Sequence, residues 1–267
     1  MAGRRQIIVA VLMVAAALFT GNAVAADPDI KQILAPSGAL RVALYTGTPT
    51  SILPDARDGG PKGVGYDLGK ELATRLGVPF ESVVFSKNAD VLEAVKTGKA
   101  DIALTNATPA RAKEMDFGPP VFEVELGYLV PTGSALASVT EVDAKGLRVG
   151  VTTGSSSDST LSRDLKNAEI IRATNFDAAI EMLTIGSLHA YATNKASLFE
   201  MSEKLPGSRV LDGRWGIERF AIGIPKGRDD GMAFIRQFTA AIKSEGLVKA
   251  AIARAGLRGA LASETQN

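Results

Sequence analysis

Few residues in this chain of 267 can do chemistry. There is no Cys and a single His, His189. Thiol nucleophiles, disulfides, Cys-ligated zinc and His-rich metal clusters are therefore excluded, and the sequence implies no metal and no cofactor. A Ser-His-Asp triad would have to run through His189, which follows Gly186-Ser187-Leu188 and reads first as a loop histidine with local partners. Arg111 is the most informative residue. It lies in the first turn after a Thr108-Pro109 helix start, a cap residue followed by Pro. A cation there opposes the helix dipole by ~0.3–1 kcal/mol. Two readings stand. With an anion present, the guanidinium and the free N–H groups converge on one carboxylate. Without one, Arg111 is a surface side chain paired with Glu114 or Asp116. Gly154-Ser155-Ser156-Ser157 joins a strand to a helix, and either holds a small anion or caps the helix through Ser155 or Ser156. Gly63-Val64-Gly65 follows a loop and is no dinucleotide fingerprint, with Asp67 as a helix-start residue. Tyr45, Tyr66, Phe122 and Trp215 are either pocket walls or ordinary core.

These residues must be placed by a strand–helix alternation. Residues 39–44 form a short β-branched run, and a Gly/Pro/Thr/Ser loop follows. Leu68, Leu72 and Leu76 fall four apart over 67–77, a helix that Gly77 stops. Residues 80–85 alternate as a strand, 88–98 form a helix capped by Asn88, and 100–106 form a third strand. A further strand over 125–133 leads out, and the pattern restarts. Strands are expected at 147–154, 169–175, 189–194, 208–213 and 220–226. Helices are expected at 155–166, 176–186 and 195–205, and two more close the chain after 228. Two α/β units in series, each a mostly parallel sheet flanked by helices, would face each other across a cleft at their strand ends.

Composition agrees with a folded, unspecialised surface: 46% hydrophobic, 22% charged, net charge +1. A nucleic-acid binder would be strongly basic. Residues 1–25 read as a Sec-type signal peptide: Arg4 and Arg5, an apolar run from Ile7 to Phe19, and a small-residue site with cleavage after Ala25. The run is too short to span ~30 Å of hydrocarbon, so no membrane insertion is expected.

These residues in this order resemble the periplasmic solute-binding proteins of ABC importers, in the family that binds polar amino acids, across about 38–258. The segment from Gly63 to Val78 is similar to the family's Gly-Phe-Asp-x-Asp-Leu helix. Thr108-x-x-Arg111 followed by Asp116-Phe117 and Pro119 resembles its most specific segment. The run 147–156 resembles its second-lobe strand and turn. The resemblance implies a two-lobed periplasmic-binding-protein fold (type II) with two hinge strands: lobe 1 at 38–128 plus 222–260, lobe 2 at 129–221, and a frayed tail at 261–267. It implies that Arg111 grips a ligand carboxylate, that Asn106 and Thr108 add lobe-1 hydrogen bonds, and that Ser155 and Ser156 complete the site from lobe 2. The sequence departs from the pattern where the family's ammonium-binding aspartate falls on Asn194 and its stacking aromatic falls on Thr48. A carboxylic acid without an ammonium suits Asn194 better, unless Asp158 or Glu218 supplies the charge.

The function expected is a non-enzymatic, monomeric periplasmic receptor that captures a small carboxylate-bearing solute, an amino acid or related organic acid, by hinge closure and hands it to an inner-membrane permease. The alternatives are a cyclohexadienyl or arogenate dehydratase-like enzyme, which needs a proton donor in the cleft, and a sensing module for a membrane receptor.

Overall fold

A computed structural model describes residues 28–53 and 60–261; the expected signal peptide and residues 262–267 lie outside them. The chain opens with α1 (Pro28–Leu34), β1 (Leu40–Tyr45), α2 (Val64–Leu76), β2 (Phe80–Phe85), α3 (Asn88–Lys96) and β3 (Ala103–Asn106). A 3-10 turn, Arg111–Lys113, precedes β4 (Met115–Val130). There follow β5 (Arg148–Thr152), α4 (Ser156–Asp164), β6 (Glu169–Ala173), α5 (Phe176–Thr184), β7 (Ala190–Asn194), α6 (Lys195–Lys204) and β8 (Arg209–Val210). The chain returns through β9 (Gly216–Pro225), α7 (Asp229–Ser244), α8 (Leu247–Ala255) and β10 (Ala260–Leu261).

Two lobes share one pair of long strands. In the first lobe β1 runs parallel to β2 and bridges in parallel to the β3 approach at Val42 and Ile102. β9 pairs antiparallel with β3 and with β4. In the second lobe β5 lies parallel to both β6 and β7, while β4 runs antiparallel to β7. The first lobe's strands are thus parallel apart from β9 and the short β10, and the second lobe's apart from β4. β4 changes partners along its length: Met115–Leu126 face β9, and Leu126–Leu129 face β7. β4 and β9 are the hinge strands.

The apolar faces anticipated from periodicity are buried. Leu68, Leu72 and Leu76 of α2 pack against β1, with Ile235 and Phe238 of α7 and Val248 of α8 closing the same core. The second lobe buries Val149, Val151 and Leu161 on one side of its sheet and Leu183, Tyr191 and Leu198 on the other. Asp101 is 0% exposed and ties the first strand to the last helices. It accepts from the backbone N–H and Nε of Arg41 at 3.0 Å and from Arg41 Nη2 at 2.7 Å, and Arg228 Nη1 lies at 3.4 Å.

Two boundaries differ from expectation for physical reasons. α2 starts at Val64, ahead of Asp67, because its first N–H groups are satisfied by loop carbonyls. Val64, Gly65 and Tyr66 donate to Pro49, Thr50 and Ser51 at 2.9, 3.1 and 3.0 Å. No capping side chain signals this start. Gly63 must approach this loop closely, since a Cβ there would sit 2.3 Å from the Ser51 carbonyl oxygen. β4 begins at Met115, well before 125, because Pro119-Pro120 falls at a register shift that interrupts the ladder without ending the strand. In the segment expected to be frayed, Leu261 pairs with Glu123 of β4.

Candidate functional site

The lobes meet over a small cavity at the carboxyl ends of β1, β3, β5 and β7, the place where open α/β sheets bind ligands. Its free volume is about 70 Å³. Thr48 Oγ1 on the first lobe lies 2.9 Å from Ser197 Oγ on the second, and Tyr45 meets Phe176 edge to face at 5.3 Å. These contacts hold the cleft closed.

Arg111 is aimed into this space. Thr108 Oγ1 accepts its backbone N–H at 3.2 Å, fixing the 3-10 turn. Nη1 donates to Thr105 Oγ1 at 2.8 Å and to the Asn106 carbonyl at 3.1 Å. The Nε and Nη2 edge, the one that forks onto a carboxylate, has no protein partner among the described residues. Burial pushes the guanidinium below its ordinary value, partly offset by the charge of Glu218. The surface reading fails on its own partners: Glu114 pairs with Lys96 and Asp116 with Lys226.

Glu218, on β9, is the opposite charge. It is 6% exposed. Oε1 accepts from Ser156 Oγ at 2.5 Å and from Asn106 Nδ2 at 3.4 Å, and Oε2 accepts from Asn194 Nδ2 at 3.0 Å. All three donors are neutral. A carboxylate offers about four lone-pair sites, so one on Oε2 stays open. No cation pairs with Glu218 among the described residues.

The remaining candidates sort by what holds them. Thr48 is buried and lies 3.0 Å from Thr50 Oγ1 as well as against Ser197. Asn106 lines the cavity, but its Oδ1 accepts the Arg219 N–H at 3.0 Å and its Nδ2 holds Glu218, so its amide positions the carboxylate. Asn194 does the same while its Oδ1 caps α6 through the Ser197 N–H at 3.0 Å. Ser155 caps α4, its Oγ accepting the Asp158 N–H at 3.0 Å. Thr108 lines a neighbouring groove of about 780 Å³ beside Arg111, not the cavity between the lobes. Asp158 is not available as a charge partner, because Arg172 Nη2 holds it at 2.9 Å. Phe122 stacks on Phe220 and Tyr66 packs on Phe80, whereas Tyr45 is a cavity wall. Burial, with a smaller contribution from Asp177, raises the Tyr45 hydroxyl to about 12, so it stays neutral. Among the described residues no group of His, Cys, Asp and Glu could hold a metal ion, and no helix is long and apolar enough to cross a membrane.

A family model, bacterial extracellular solute-binding proteins, family 3, matches residues 40–255. The chain belongs to this family. The L-cystine-binding protein TcyJ of Escherichia coli is 23% identical over 252 residues, covering 92% of this chain and 93% of that protein. The glutamine-binding protein GlnH of Bacillus subtilis is 25% identical over 198 residues, 72% of this chain and 70% of its own. A solute receptor for L-cysteine from Neisseria gonorrhoeae superposes with a TM-score of 0.75 at 25% identity, over 85% of this chain and 92% of that one. The family 3 protein is a monomeric, periplasmic, non-catalytic binding component that closes on its ligand and delivers it to an ABC permease. Capture and release require its two hinge strands and its closed cleft.

Proposed function

We propose that this binding protein captures an α-amino acid as its zwitterion. The α-carboxylate docks on the Nε/Nη2 edge of Arg111, and the α-ammonium on the open lone pair of Glu218 Oε2. The observation that carries this is the pair of opposite charges in one cavity, Arg111 partly buried and Glu218 buried, with no ion-pair partner within 4.0 Å among the described residues. Burying an unpaired charge is costly. A guest bearing both complementary charges removes the cost from each side at once, which gives the closed state its advantage in the presence of ligand. Asn194 cannot form the charge-assisted bond of the family's usual aspartate, and Glu218 supplies that charge from the hinge. Glutamine, cystine and cysteine, the ligands named for the relatives above, are all α-amino acids.

In this reading Ser156, Asn106 and Asn194 act by orienting Glu218, Ser155 presents the α4 N-terminus to the carboxylate, and Thr48 closes the cavity from lobe 1. The lobes are 38–128 plus 222–260 and 129–221, and hinge motion takes place where β4 and β9 exchange partners. Export is by a Sec-type signal peptide cleaved after Ala25. The test is a thermal-shift screen of amino acids against organic acids lacking an amine. A ligand at 100 times its dissociation constant adds about 2.7 kcal/mol of stability. The reading requires that amino acids, and not the amine-free acids, give the shift, and that Glu218→Gln removes it.

A further inference from the structure

We propose that the cavity is selective for α-amino acids with short, polar side chains, of the size of serine, cysteine or threonine, and that Thr48 with Ser197 sets this limit. The inference rests on the zwitterion reading above and adds the identity of the side chain to it.

Size is the first argument. The free space between the lobes is about 70 Å³. An apolar cavity of ~150 Å³ takes a benzene ring, and one water needs ~10–15 Å³. The ammonium, the α-carbon and the carboxylate, common to every amino acid, take up most of that room. About two or three further heavy atoms fit, as many as serine, cysteine or threonine carries beyond its α-carbon.

The walls cannot give way one at a time. Phe176 is wedged between Tyr45, at 5.3 Å, and Tyr191, at 6.4 Å, both edge to face. The Tyr191 hydroxyl is itself 2.5 Å from Thr152 Oγ1. Thr48 is 3% and Ser197 1% exposed, and their 2.9 Å contact spans the two lobes. The loop behind Thr48 is clamped by the first N–H groups of α2. Admitting a longer side chain therefore means parting the lobes, which undoes the contacts that define closure. Arg111, Ser155 and Ser156 line both this space and the wide groove beside it.

Hydroxyl count is the second argument. Thr50, Thr48 and Ser197 form a chain with contacts of 3.0 and 2.9 Å. Three hydroxyls bring three protons, and two contacts use two of them. The third O–H at this roof is left to be met from within the cavity, and a short side chain ending in oxygen or sulfur can accept it.

The experiment is isothermal titration of the purified protein, freed of carried-over ligand by unfolding and refolding, with glycine, L-alanine, L-serine, L-cysteine, L-threonine, L-glutamine, L-histidine and L-arginine. The tightest of serine, cysteine and threonine should bind at least tenfold more tightly than glutamine, histidine or arginine, and more tightly than glycine and alanine. Thr48→Ala should narrow the gap to the long side chains. Ser197→Ala should bring the short polar ligand toward alanine, and it serves alone if Thr48→Ala does not fold. A wild type that favours a long side chain, or binds long and short alike, overturns the size limit and leaves the zwitterion reading standing. Glycine or alanine equal to serine overturns the polar requirement. Failure to bind any amino acid overturns the reading beneath.

Discussion

Arg111 and Glu218 bring opposite charges into one closed space without pairing, and each is held by neutral groups. The consequences differ for the two. Removing Arg111 deletes the carboxylate fork: Arg111→Ala should cost about 2–5 kcal/mol of binding, read by calorimetry, while the ligand-free protein nearly keeps its melting temperature, because the two hydrogen bonds lost with Nη1 are offset by removal of a partly buried, unpaired cation. Glu218→Gln keeps the shape but loses the charge, so affinity for an amino acid should fall by about 1.5–3 kcal/mol. Asn194→Asp is the sharper probe. It would set a second carboxylate against Glu218 Oε2, now 3.0 Å from the amide. One of the two acids must then hold its proton to unusually high pH. A raised folded-state value means stability that is present at low pH and lost as pH rises through it. The variant should therefore melt below the wild type at neutral pH and regain ground on acidification toward pH ~5. Arg111, Ser156 and Asn194 were legible in the sequence because each sits at a strand-to-helix junction. Thr48 was legible only as a departure from the family pattern. Ser197 was not, since its partner lies 149 positions away. Nothing local distinguishes Glu218 from Asp158, because Arg172, which occupies the latter, lies on a separate element, β6.

Among the elements, β1 depends on one buried acid. Asp101→Ala would leave Arg41 and Arg228 without their shared partner and should destabilise the protein by about 3–5 kcal/mol in urea unfolding. His189 governs a different edge. Its Nδ1 accepts the Arg148 N–H at 2.9 Å, just ahead of β7. Burial, and then the Arg148 charge, hold the imidazole below its ordinary 6.5. The unfolded chain thus takes up the proton first on acidification. Its contribution is complete above pH ~6.5 and is lost as pH falls from there through the folded-state value. His189→Gln should flatten that part of the pH–stability curve, measured by urea melts between about pH 7.5 and 5. The strand–helix order was legible because apolar periodicity and glycine stops are local signals. The start of α2 and the reach of β4 were not, because loop carbonyls 15 positions back satisfy the first, and a bulge at Pro119-Pro120 carries the second past its own breaker.

At the scale of the whole molecule, closure is a balance between lobes joined by β4 and β9. Thr48–Ser197 and Tyr45–Phe176 favour the closed form before any ligand arrives. Thr48→Val, close to isosteric but unable to hydrogen-bond, should expand the ligand-free protein in small-angle scattering, and bound ligand should restore the compact form. The central claim is that one guest satisfies both charges of the cavity. Its most direct test is a calorimetric comparison of the best-binding amino acid with its amide, which lacks the carboxylate charge, and its hydroxy-acid analogue, which lacks the ammonium. Each analogue should bind at least about tenfold more weakly, a loss of about 1.4 kcal/mol. A hydroxy acid that binds as tightly as the amino acid would contradict the role given to Glu218.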